Sequence, residues 1–363
     1  MQSPVDLLEK AVNFEKVRQV RTSKVLDLAE RLGTISPDRL FLNGFPARNP
    51  VAVFNPSLLL ENGLVSLYPR IIVGYYKYVS AIVESLIPLN DILTGHVNLN
   101  VYSSNLAITP SNRYDLWGAE DPRAYRIHGY ELMTYTGRTI GYFSPDGSDK
   151  TLPITAVKRN GSWSKVIVHR ASAGLEGKIH NDKNAFILEN GGEYYLFHRP
   201  QLETGEYIAL ISKLPAEDVR DALKHGGELR EIRPETDWLA LPHAAFEEKI
   251  AWGPPPIRLR GDDYLFILHG VGVSLQAYRL FAAIIELPPG EPPIIKAVTP
   301  TYIMEPREPY ETFGDRPYTV FPCGIARHNN EILLSYGAAD YMAAFASISY
   351  EELMDQLEEG RVE

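Results

Sequence analysis

Sulfur chemistry is nearly missing from this sequence. Its 363 residues include one cysteine, Cys323, which excludes an internal disulfide framework and fits a reducing, cytoplasmic setting. No Cys/His set has zinc spacing, and no glycine-rich loop opens a helix to cradle phosphates. No apolar run approaches the ~18 residues of a membrane span. The opening MQSPVDLLEK lacks both a basic stretch and an apolar core, so no secretory leader is expected. Positive charge is in deficit as well. There are 36 Lys and Arg against 46 Asp and Glu, a net charge of −10, which argues against nucleic acid and anionic membrane as partners.

What the sequence does contain is a weak motif repeated five times. The copies are Asn55-Pro56-Ser57…Gly63…Arg70, Asp121-Pro122-Arg123…Gly129…Tyr135 and Lys183-Asn184-Ala185…Gly191…Arg199, then Pro255-Pro256-Ile257…Gly261…His269 and Pro322-Cys323-Gly324…Asn330…Tyr336. The steps from Pro56 to Pro122, Asn184, Pro256 and Pro322 are 66, 62, 72 and 66 residues. Each copy alternates apolar and polar residues on both sides of a Gly/Asn/Asp turn, the pattern of a β-hairpin. Five hairpins at this period predict an all-β chain, a five-bladed β-propeller. The domain reading is a helical extension over 1–36, the propeller over 37–348 and a C-terminal helix over 349–363. Helical spacing of Leu7, Leu8, Ala11, Val12 and Phe14, then of Val25, Leu26 and Leu32, carries the first of these. That helix could pack on the propeller or meet a second copy of the chain. A short surface helix is expected within 215–230, and Ser349 ahead of Glu351 and Glu352 reads as the start of the last helix.

A hairpin returns its two ends to one place, and here they are 14 to 16 residues apart. If these are the inner strands, one mouth of the channel gathers Asn55, Arg70, Asp121, Tyr135, Lys183, Asn184, Arg199, His269 and Tyr336, with Asp340 just beyond. Any one of them could be polar only because it touches water. As a ring of mixed charge they read as a binding or catalytic site.

The ordered motifs also resemble a known family. Glu120-Asp121-Pro122-Arg123 with Met133-Thr134-Tyr135-Thr136 is similar to the EDPR…TYT signature of glycoside hydrolase family 130, five-bladed propellers best known as inverting β-mannoside phosphorylases. Phe54-Asn55-Pro56-Ser57, Tyr195-Leu196-Phe197-His198-Arg199-Pro200, Pro255-Pro256-Ile257 with Leu268-His269-Gly270-Val271, and Phe321-Pro322-Cys323-Gly324 with Ser335-Tyr336-Gly337-Ala338-Ala339-Asp340 resemble its other blocks, in family order. The resemblance implies Asp121 as general acid, with Asn55, Arg70 and Asp340 holding the sugar beside the scissile bond. It implies Asn184, Arg199 and His269 as the phosphate pocket, with Lys183 where many of these enzymes have arginine. Tyr135 and Tyr336 would stack on sugar or fill the channel. No cofactor is implied; inorganic phosphate is the co-substrate of a β-mannoside or short manno-oligosaccharide.

The residue types suit that chemistry. An inverting hydrolase needs an acid and a base, two carboxylates roughly 6.5–9.5 Å apart. Phosphate is already a nucleophile, so a phosphorylase needs the acid and a cationic seat, here Lys183, Arg199 and His269 with Asn184. A general acid must keep its proton near neutral pH, which burial or neighbouring carboxyls such as Glu120 and Asp340 can achieve. Hydrolysis remains open through a loop glutamate, Glu308 or Glu311, as base. A non-catalytic sugar-binding propeller is the reading from another class. Trp252 is left between sugar stacking and inter-blade core, and His198 is expected in the core.

Overall fold

The structure, a computed structural model, describes residues 4–144 and 150–363. The Pro145-Asp146-Gly147 stretch, which its Pro and Gly content marks as a connector between blades, lies outside them. Five sheets, antiparallel except where the short outer strands Glu9–Lys10, Arg230–Ile232 and Leu40–Leu42 add in parallel, each begin on one of the repeated hairpins and form a five-bladed propeller. The hairpins are Ala52–Glu61 with Leu64–Ile72, Ala119–Ile127 with Tyr130–Arg138, Ile179–Asn190 with Glu193–Leu202, Glu247–Trp252 with Asp263–Gly272, and Val320–His328 with Glu331–Ala338. Inner strands of successive blades touch around the channel. In the fourth blade, Gly253 and three prolines interrupt the inner strand, and only Ile257–Arg258 resumes the pairing. Proline has no N–H for the ladder, so the expected start at Pro255 is a break rather than a strand.

The ring closes on a strand that the sequence reading made helical. Ala29–Ile35 pairs antiparallel with Met342–Ser349, Ala29 opposite Ile348 and Ile35 opposite Ala343, as the outer strand of the fifth blade. Of the helical extension expected over 1–36, the α-helix among the described residues is Phe14–Val20, whose buried Phe14 and Val17 pack on the propeller. Around it the chain runs extended. Glu9–Lys10 adds to the third blade beside Trp238 and Leu239, and Val25 bridges Tyr302. Unpaired sheet edges outweighed the weak helical spacing of 25–32. The remaining helices include Ala216–His225 and Tyr350–Glu359, the latter capped by Ser349 accepting from Glu352 N.

Apolar side chains fill the spaces between blades. Trp252 is fully buried there, edge-on to Phe197 at 4.9 Å, with its Nε1 donating to the carbonyls of His198 and Leu210. It is inter-blade core, closed to sugar. His198 is buried too, but in a polar network with Asp182 and Ser212 at 2.7 and 2.8 Å. No helix among the described residues is long and apolar enough to cross a membrane.

Candidate active site

The site is built on irregularities of the inner strands. Register shifts fall between Phe54 and Ser57, Glu120 and Arg123, and Lys183 and Phe186, each adding one residue over the partner strand. The residue that starts each bulge lies in the left-handed region: Asn55 at φ 49°, Asp121 at 51° and Asn184 at 57°. Asn and Asp are the non-glycine residues that best accept that conformation. A bulge bends its strand and re-aims a side chain, and all three of these side chains line one cavity of about 320 Å³ at the channel mouth.

Asp121 anchors one side. Its Oδ1 accepts from Asn55 Nδ2 at 2.7 Å and from Arg70 Nη1 at 3.0 Å. Behind it, Glu120 is buried among three cations. Arg70 is 3.2 Å away, Arg138 2.8 Å and Lys183 3.0 Å. Burial alone would favour its neutral form, but Arg70, Lys183 and Arg138 hold its carboxyl well below the usual range. Glu120 is thus a permanent anion that fixes those cations in place. Burial pushes the Asp340 carboxyl the other way, up to about 6, with Asp121 adding to the shift and Arg70 opposing it.

The other side is cationic without compensation. Arg199, Lys249 and Arg316 all line the cavity, and among the described residues none has a carboxylate within ion-pair distance. Their heads are ordered by rings instead. Arg199 and Lys249 lie 4.9 and 4.6 Å from Tyr207, and Arg316 lies 4.6 Å from Tyr278. Burial, then Arg199 and Arg316, depress the Lys249 ammonium to about 8. Burial and the surrounding Arg123, Arg199, Lys249 and Arg316 hold His269 well below its ordinary value, so its imidazole is neutral at pH 7. Buried Asn184 Nδ2, Arg199 Nε and His269 Nδ1 have no hydrogen-bond partner within the protein. Such a set of unpartnered polar atoms beside uncompensated cations suits an anion.

A family model described as beta-1,4-mannooligosaccharide phosphorylase, glycoside hydrolase family 130, matches residues 19–359. The chain belongs to glycoside hydrolase family 130. Among its relatives is a 1,2-beta-oligomannan phosphorylase of Thermoanaerobacter sp. (strain X514), 25% identical over 83% of this chain and 91% of that protein. A beta-1,2-mannobiose phosphorylase of Listeria innocua is 27% identical over 69% of this chain and 62% of that protein. The structure of the Listeria innocua phosphorylase with beta-1,2-mannobiose superposes with a TM-score of 0.66 at 19% identity, covering 89% of this chain and 96% of that one, which shows the shared fold.

In this family 130 enzyme the cavity brings together Asn55, Arg70, Asp121, Lys183, Asn184, Arg199, His269 and Asp340. It does not include Tyr135 or Tyr336. Both are buried, donating to Asp115 at 2.7 Å and Glu311 at 2.6 Å. The cause is one residue of register. Arg70 pairs with Phe54 and Arg199 with Lys183, while the matching positions in the second and fifth blades are Thr136, opposite Glu120, and Gly337, opposite Phe321. Moving one residue along a strand turns the side chain to the other face. A strict step of fifteen, as from Asn55 to Arg70 and Asn184 to Arg199, selects the right positions.

Glu308 and Glu311 also lie elsewhere. Glu311, the candidate loop base, is fully buried, holding Arg31 at 3.2 Å and capping the short helix Pro309–Thr312. Glu308 is the N-cap residue of that helix and lies outside the cavity. Sequence reasoning missed Lys249, Arg316, Tyr207 and Tyr278. They come from outside the repeated motif; only Lys249, two residues before Ala251, the partner of His269, carried a positional signal.

Proposed function

We propose that the enzyme cleaves a β-linked mannoside or short β-manno-oligosaccharide with inorganic phosphate, giving α-mannose 1-phosphate with inversion. The observation that carries this is the trio Arg199, Lys249 and Arg316, left without carboxylates beside the unmatched donors of Asn184 and His269. An anion of the charge of phosphate completes that seat. Lys183 contributes less than the sequence suggested, since Glu120 already takes its charge, and His269 acts as a neutral donor.

In this reading Asp121 is the general acid. Asn55 and Arg70 both engage Oδ1, which leaves Oδ2 to carry the proton. Phosphate oxygen forms a bond to the anomeric carbon as the glycosidic C–O bond breaks on the opposite face. The proton of Asp121 ends on the departing oxygen, directly or through a sugar hydroxyl. Run backwards, the same groups join sugar phosphate to an acceptor. Hydrolysis would need a carboxylate base, and both loop glutamates that could supply one are engaged away from the cavity. A single buried, unpaired cysteine supports a reducing cytoplasm as the setting.

The test is sugar release from β-1,2- and β-1,4-mannobiose with and without inorganic phosphate, assaying mannose 1-phosphate. The expected result is phosphate-dependent sugar phosphate, abolished in Asp121→Asn. Free mannose formed equally without phosphate overturns the reading.

A further inference from the structure

Two aromatic rings in the cavity wall continue outward onto the surface. Tyr78, from the loop after the first blade's second strand, meets Tyr142, from the equivalent loop of the second blade, at 5.0 Å between centroids. Both line the cavity. Beyond them, Tyr75 stacks on Tyr78 at 6.1 Å and 23°, and Phe143 meets Tyr142 at 5.3 Å. The outer rings are open to water: Tyr75 is 46% exposed and Phe143 72%. Phe143 has no polar atom to make that exposure favourable.

The strip is held firmly from within. Tyr78 adopts φ 56°, an uncommon backbone state for a bulky residue, and its ring lies 5.9 Å from the Arg70 guanidinium. Arg138 is 4.7 Å from the Tyr142 ring. Both arginines are fixed by Glu120, next to Asp121. The platform is therefore tied to the residues that would do the chemistry.

We propose that this strip binds the sugars of a manno-oligosaccharide that lie beyond the two flanking the cleaved bond, so that the enzyme favours chains over disaccharide. The inference rests on the phosphorylase reading for its substrate class. Pyranoses present flat C–H faces that stack on aromatic rings while their hydroxyls stay hydrated. The cavity, at about 320 Å³, sits at the small end of the ~300–1,000 Å³ of ligand sites. Phosphate and one sugar occupy much of it, so further sugars must follow the wall outward. Continuity with the cavity selects a glycan chain over a protein partner as the occupant.

The experiment measures calorimetric affinity for β-1,2- and β-1,4-linked mannobiose, mannotriose and mannotetraose without phosphate, in wild type, Phe143→Ala and Tyr75→Ala. Turnover with and without phosphate is measured alongside. The expected result is tightening of about 3- to 10-fold from disaccharide to longer chains of the accepted linkage. Phe143→Ala or Tyr75→Ala should remove that gain and leave mannobiose affinity within about twofold. Affinity independent of length in wild type, equal weakening for all lengths, or no binding of any mannoside overturns it. Length-dependent binding without phosphate-dependent turnover would instead sink the phosphorylase reading and leave the strip standing.

Discussion

Asn55 of the first blade donates from Nδ2 to Oδ1 of Asp121 in the second at 2.7 Å, and Gly337 of the fifth blade makes room for it. A β-carbon at Gly337 would fall 1.8 Å from Asn55 Oδ1 and 2.7 Å from its backbone nitrogen. Three blades thus meet at one amide. Asn55 has two separable duties, a left-handed backbone and a hydrogen bond. Asn55→Gly keeps the first and loses the second, so kcat should fall roughly 10²-fold, as for loss of one preorganised donor, with little change in Tm. Asn55→Ala loses both and should add about 1 kcal/mol of destabilisation. Mannoside phosphorolysis and thermal melting of the two variants separate these effects.

Lys249 is predicted to set the alkaline limit for phosphate. Its ammonium, lowered to about 8 by burial and by Arg199 and Arg316, is charged below that pH and neutral above it. Because kcat/KM reports ionisations of the free enzyme, kcat/KM for phosphate should decline as pH rises past about 8. Lys249→Arg keeps its charge throughout and should move the decline to higher pH. An unchanged profile would take Lys249 out of the seat.

Asp340 gives an opposite dependence in stability. Its carboxyl is raised from 3.8 to about 6, chiefly by burial, so the folded chain binds its proton more tightly than the unfolded chain does. The resulting stabilisation is fully present below pH 3.8 and is lost as pH rises through about 6, on the order of 3 kcal/mol in total. Asp340→Asn should remove that trend and be more stable than wild type at pH 7, while losing activity. Denaturant melts across pH 4 to 7 check the sign, after subtraction of the variant's own pH dependence.

The propeller was legible because its signal was repeated; the period and turn chemistry of five hairpins needed no single strong motif. Bulge residues such as Asn55, Asp121 and Asn184 stood out as polar residues inside apolar strands. What escaped the sequence was of two kinds. Ala29–Ile35 becomes a strand only because Met342–Ser349, over 300 residues later, offers it an edge. Tyr135 and Tyr336 stand one residue short of the positions that match Arg70 and Arg199 on their strands, and one residue reverses the face. Lys249 lies on the strand that pairs with that of His269, ahead of the Pro255 at which the motif copy begins, while Arg316 reaches the cavity from the loop before the fifth blade's first strand.

The extended N-terminal segment bears on the site through one buried pair. Arg21 Nη1 donates to Glu247 Oε2 at 3.1 Å, its Nη2 lies 2.9 Å from Oε1, and both side chains are almost fully buried. Arg21 also lies 3.6 Å from the Phe281 ring, and Glu247 accepts from Tyr302 at 2.5 Å. Glu247 begins the strand that carries Lys249, and the absence of a side chain at Gly270, beside His269, gives it space. Arg21→Met would leave a buried carboxylate unpaired, at a cost of about 3–5 kcal/mol. The register of Lys249 should loosen with it, raising KM for phosphate more than it lowers kcat. Arg21→Lys restores the charge without the fork and should recover part of both. If Arg21→Met lowers Tm but leaves KM for phosphate unchanged, the pair anchors the N-terminal segment without positioning Lys249.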